Sequence, residues 1–186
     1  METKQLTVEF SRQDLQRLIV PLVVEQLLAI TVGLFDSVMV SQVGEAAISA
    51  VSLVDTVNVL LVNAFSALAT GGAVIAGQYL GRREPQKAGH SGEQLLLFMG
   101  EASLLIMALF YLGKGFVLHV VFGQVEADVA AYADTYYMIV EASTPFLAIY
   151  SAGAALFRVM GNSKISMWVS LLMNVINVAG NALLIF

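Results

Sequence analysis

The chain contains no cysteine, which excludes disulfide scaffolds, thiolate metal sites and cysteine catalysis. Charge is scarce as well: only 12% of the 186 residues are Asp, Glu, Lys or Arg, against about 25% in a soluble domain. The two histidines, His90 and His119, are isolated near connections and have no partner ligands in sequence. Zinc patterns, phosphate loops and nucleophile motifs are absent. The run GGAVIAG is a glycine-rich piece of an apolar segment with no strand before it, so it fails the context that a dinucleotide site needs. No internal repeat is visible. The last apolar run has no polar tail after it, which reads as a truncated reading frame or a fragment.

What is present is apolar. Hydrophobic residues make up 58% of the chain, and the mean hydropathy is +0.80. Runs of this kind that are about 20 residues long cross the hydrocarbon core of a bilayer as helices. The expected fold class is all-α: a polytopic transmembrane helical bundle of about five spans, forming one membrane domain. The spans fall near 15–43, 55–79, 93–116, 129–157 and 165–186. Lys4, Arg12 and Arg17 precede the first run as in a signal peptide, but that run is too long and holds Asp36, so it reads as a retained helix.

A polar arm over 1–10 leads to Ser11 and Asp14, spaced as a capping box for the first helix. Pro21 then falls inside that helix, where proline kinks. The connections are a short one at 44–47, a basic loop at 81–90, an acidic one at 122–128 and a second basic loop at 158–164. Lys4, Arg12, Arg17, Arg82, Arg83, Lys87, Arg158 and Lys164 all fall on one side of this topology, and Lys114 falls on the other. The positive-inside rule then makes the N-terminus cytoplasmic in a multi-pass inner-membrane protein. Such basic loops report topology and imply no nucleic-acid partner. Gly77 and Gly81 are spaced as GxxxG, a helix-packing pattern. Tyr132, Tyr136 and Tyr137 read as an interfacial aromatic belt.

The first span carries two acids, Glu25 and Asp36, with no Lys or Arg between them. Eleven residues apart, they share one helix face roughly 16 Å apart along the axis. Ala29 and Gly33 lie on the same face. An ionisable residue inside a membrane costs on the order of 2.5–3.5 kcal/mol on insertion scales and is a functional candidate by default. Asp55, Glu101 and Glu141 add further acids in or near spans, and no basic residue is clearly placed to neutralise them. Unpaired acids in lipid must be protonated, meet water or bind a cation, which points to a cation- or proton-coupled process. In the fifth span Asn174, Asn177 and Asn181 form one stripe, continued by Ser170. Carboxamide oxygens are neutral hard ligands, and with one carboxylate they can hold a monovalent cation such as Na⁺. Interhelical hydrogen bonding, at about 0.6 kcal/mol per contact, is the plainer role for Asn174, and for Asn177 and Asn181 both roles stay open. Glu25, Asn174, Asn63 and Glu141 make up a second candidate set, expected to line a polar cavity.

Several stretches together resemble the N-terminal part of the multidrug and toxic compound extrusion (MATE) transporters. They are P-x-x-x-E-Q-L-L from Pro21, D-S-V-M-V-S-x-x-G-E-A-A-I-S-A-V-S from Asp36 and G-x-Y-L-G-R-R from Gly77. L-F-R-V-M-G-N-S-K from Leu156 and N-V-A-G-N-A-L-L-I-F from Asn177 complete the set. The resemblance implies two six-helix lobes and export of organic, cationic compounds driven by Na⁺ or H⁺ entry, with no other cofactor and no enzymatic step. It implies that Asp36 is the first-helix aspartate of cation coupling, and that Asn177 and Asn181 are fifth-helix positions lining the same cavity. In some branches the second of these is aspartate; here it is Asn181, so the coupling ion stays open. Beyond the bilayer and a small organic substrate, the implied partner is a C-terminal lobe or a second chain. A lipid-linked oligosaccharide flippase of the same superfamily and a non-transporting membrane scaffold remain as rival readings.

Overall fold

A computed structural model describes residues 12–185. The polar arm, Ser11 of the expected cap, the side chain of Asp14 and Phe186 lie outside the described residues. The elements are α1 (Arg12–Ser41), α2 (Glu45–Gly81), α3 (Pro85–Leu112), a single turn α4 (Lys114–Phe116), a π-helical turn (Val117–Val121), α5 (Ala127–Val159) and α6 (Ser163–Ile185). Five of these, α1, α2, α3, α5 and α6, are long and apolar enough to cross a membrane. A helix satisfies its own backbone, which is what lipid demands of any spanning segment.

The helices run further than the apolar spans, so the connections are shorter than the charged stretches. Glu45 already belongs to α2, which leaves 42–44 as the first turn, with Gly44 at φ 136°, a conformation open to glycine. The basic stretch 81–90 is mostly helix. Only 82–84 forms the turn, because Pro85 suits a first helical position, where its missing N–H costs nothing. The stretch 158–164 likewise shrinks to 160–162, where Gly161 adopts φ 77°, and Arg158 sits inside α5. The third long helix stops at Leu112 rather than near residue 116, and α4 and the π-helical turn follow Gly113.

Two packing units make up the bundle. In the first, α2 and α5 run parallel with α3 antiparallel to them. Leu61, Phe65, Ala69 and Ala73 of α2 meet Leu95 and Met99 of α3 and Ala148, Ala152 and Ala155 of α5. Nearer the other end, Ala50 and Val54 pack on Val129, Ala133 and Tyr137. Alanine at these positions lets backbones approach closely, which is what drives helix association in lipid. A Cβ on Gly77 would stand 2.5 Å from Val159 Cγ1, whereas nothing lies within 4 Å of one on Gly81. Only the first glycine of the GxxxG pattern therefore packs against another helix. The second unit is the pair α1 and α6. They run parallel, since Glu25 meets Ser166 and Asp36 meets Asn181. Large apolar side chains such as Leu27, Ile30 and Leu34 of α1 and Val175 and Ile176 of α6 stay exposed, as lipid-facing surfaces do.

Candidate functional site

Polar residues gather along the seam between the α1–α6 pair and the α2–α3–α5 unit. At one level Asn181 Nδ2 donates to Asp36 Oδ1 at 2.6 Å, and also approaches Asn177 Oδ1 at 3.3 Å. Asp36 is half-buried and Asn177 is exposed. The three residues predicted to act together are thus linked in one chain of hydrogen bonds across α1 and α6.

Two further residues join them from the other unit. Tyr136 of α5 donates to Asp55 Oδ1 of α2 at 3.2 Å. Asp36 lies near enough to both Asp55 and Tyr136 to act on them electrostatically. The site therefore offers two carboxylates, two carboxamides and a phenol from four helices. Among the described residues no three His, Cys, Asp or Glu converge as a metal-binding group. Two acids with neutral hard oxygens form a donor set suited to a monovalent cation or a proton.

A second cluster stands further toward the start of α1. Glu25, only 7% exposed, accepts at Oε1 from Arg158 Nη2 at 2.9 Å and from Tyr150 OH at 3.2 Å. Its Oε2 accepts from Ser166 Oγ at 3.2 Å. This corrects the expectation that no basic residue neutralises the acids of the spans. Because α5 continues to Val159, Arg158 belongs to a helix, and its long stem carries the guanidinium into the seam.

No hydrogen bond among the described residues joins the second predicted set. Glu25 belongs to the Arg158 cluster. Glu141, 1% exposed, lies inside the α2–α3–α5 unit, where its Oε2 accepts from Thr144 Oγ1 at 3.4 Å. Asn63 is on an exposed face of α2, and Glu101 is exposed on α3. Asn174 is half-buried between the two clusters, with its Nδ2 buried and unpartnered.

Sequence reasoning left Tyr136, Tyr150, Arg158 and Ser166 out of the site, and counted Asp55 among the acids of the spans without placing it beside Asp36. The aromatic belt holds for none of its buried members: Tyr132 is exposed, but Tyr136 bonds Asp55, and fully buried Tyr137 donates to the Phe110 carbonyl at 3.1 Å. A signal was there: at about 100° per residue, Tyr136, Tyr150 and Arg158 share one face of α5.

Five apolar spans with acids and carboxamides facing one another across an internal seam define a polytopic helical membrane protein with an ionisable core. The chain belongs to the MatE family, whose profile matches residues 21–183. It is 28% identical over 166 residues to "Uncharacterized transporter YisQ" of Bacillus subtilis (strain 168), an alignment covering 89% of this chain and 36% of that protein. The fold is similar to that of a MOP superfamily transporter from Pyrococcus furiosus Vc1 (DSM3638), with a TM-score of 0.77 at 18% identity. That match covers 94% of this chain and 38% of the solved one, whose report is headed "Reverse polarity of binding pocket suggests different function". The chain thus spans little more than a third of the length of either relative.

Proposed function

We propose that this chain supplies the ion-coupling helices of a Na⁺- or H⁺-driven antiporter that exports organic, cationic compounds. In this reading the five helices form one membrane domain, most of an N-terminal lobe. A C-terminal lobe or a second chain completes the path for substrate. The N-terminus is cytoplasmic, as the basic residues of the turns indicate.

The observation that carries the proposal is the Asp36–Asn181 contact across parallel helices, with Asp55 and Tyr136 beside it. A bare carboxylate there is stabilised by one amide and opposed by a second acid. Binding Na⁺ or a proton removes that opposition and releases Asn181 to rearrange. If the occupied and empty sites favour different α1–α6 arrangements, ion binding shifts the population between them, and substrate release follows. A flippase for an anionic lipid-linked substrate draws less support, because Arg158, the cation that enters the seam, is already matched by Glu25.

The test is export from vesicles that hold the chain together with its completing helices, under an imposed Na⁺ or pH gradient. Asp36→Asn keeps the shape and removes the charge. It is expected to insert normally and to abolish export under both gradients. Wild-type rates under both would make Asp36 structural and end the proposal.

A further inference from the structure

At the rim where α1 and α6 begin, away from the acidic seam, a second feature stands alone. Gln16, Arg17, Val20 and Pro21 of α1, with Lys164 and Met167 of α6, line an open cavity of about 530 Å³. Its two cations come from different helices, and among the described residues no acid lines the cavity. Neither Arg17 nor Lys164 has an ion-pair partner among the described residues, whereas Lys87 is matched by Glu84, Lys114 by Asp134 and Arg158 by Glu25. Glu25, the nearest acid of the seam, is already taken by Arg158, Tyr150 and Ser166. Lys164 is the second residue of α6, so the positive end of that helix dipole adds to the local potential. The floor, Val20, Pro21 and Met167, is apolar and lies at the edge of the spans.

A ligand that fits must be anionic at one end and hydrocarbon-like at the other, and must arrive from within the bilayer. We propose that this cavity seats the headgroup phosphate of an anionic phospholipid between Arg17 and Lys164, with an acyl chain laid over Val20, Pro21 and Met167. Basic pockets between spanning helices at a membrane surface hold such headgroups, each Lys or Arg contributing about five-fold in affinity. The lipid then bridges α1 and α6, the helices that carry Asp36 and Asn181. The inference does not depend on transport.

The chain provides its own reporter. Trp168 is the only tryptophan, one helical turn beyond Lys164 and 62% exposed. The purified chain is placed in phosphatidylcholine bilayers containing increasing amounts of phosphatidylglycerol with brominated acyl chains, or brominated phosphatidylcholine as the neutral counterpart. Brominated phosphatidylglycerol is expected to quench Trp168 at a lower mole fraction, with a preference of roughly thirty-fold for the two cations together. Arg17→Gln or Lys164→Gln should each reduce it about five-fold, and the double variant should remove it. Arg82→Gln with Lys87→Gln, on the α2–α3 turn, should leave it intact, as should the charge-conserving pair Arg17→Lys with Lys164→Arg. Equal quenching by both lipids in the unaltered chain overturns the proposal, as does a preference that survives in the double glutamine variant. Loss of the preference in the charge-conserving pair also overturns it. Displacement of the brominated anionic lipid by excess inorganic phosphate would assign the cavity to a soluble anion and overturn the lipid assignment.

Discussion

Arg158 Nη2 stands 2.9 Å from Glu25 Oε1, and this contact ties α1 to the end of α5 through a side-chain pair that is mostly withdrawn from solvent. Tyr150 and Ser166 complete the shell around the same carboxylate, so three donors from two helices hold one acid of a third. Removing one partner of such a pair leaves an uncompensated charge, at a cost of about 3–5 kcal/mol. Glu25→Gln and Arg158→Gln are each expected to destabilise the bundle by about that much. The double variant should lose far less than the two costs added together. Unfolding titrations in detergent measure all three; strictly additive losses would show that the pair is not coupled.

The outer cluster makes a different demand. Asn177 and Asn181 contribute carboxamide oxygens, which matter to a bound Na⁺ but not to a proton on Asp36. Asn177→Ala and Asn181→Ala are expected to weaken Na⁺-driven export by about ten-fold, the effect of losing roughly 1.4 kcal/mol of ion affinity, and to weaken H⁺-driven export less. Vesicle transport under each gradient separates the two. Equal losses under both gradients would make the asparagines structural.

Packing in the α2–α3–α5 unit can be probed at its glycines. Gly77→Ala places a Cβ against Val159 and is expected to cost about 1–3 kcal/mol through overpacking. Gly81→Ala meets open space and should stay within about 0.5 kcal/mol of the parent. Thermal unfolding of the two variants checks the contrast, and a larger loss at Gly81 would contradict the packing described.

Orientation follows from the charges at the two ends of the bundle. A reporter fused after Gln86, beside the turn holding Arg82 and Arg83, is expected to read cytoplasmic. One fused after Val125, in the acidic connection before α5, should read external. The reverse result at both positions would invert the topology.

Hydropathy and charge alone determined an all-α bundle and its number of apolar spans, whereas the grouping of Asp36 with Asn177 and Asn181 came from the resemblance to the MATE transporters. Spans are legible because lipid forces each segment to be apolar and self-satisfied over a set length, a constraint that acts locally on the chain. Helix ends were less legible, since Pro85 and the residues after it can continue a helix into water once no apolar match is required. The partners of the acids were decided by tertiary structure. Arg158 reads as a loop charge until α5 is seen to extend past it, and Glu25 reads as unpaired until α1 is laid against α5 and α6. Asp55 and Tyr136, distant in sequence, become part of the site only because α2 and α5 run parallel and present them at the same depth as Asp36. Which face meets which is set by close packing of Ala and Gly between helices, and that packing depends on three-dimensional contacts no single span encodes.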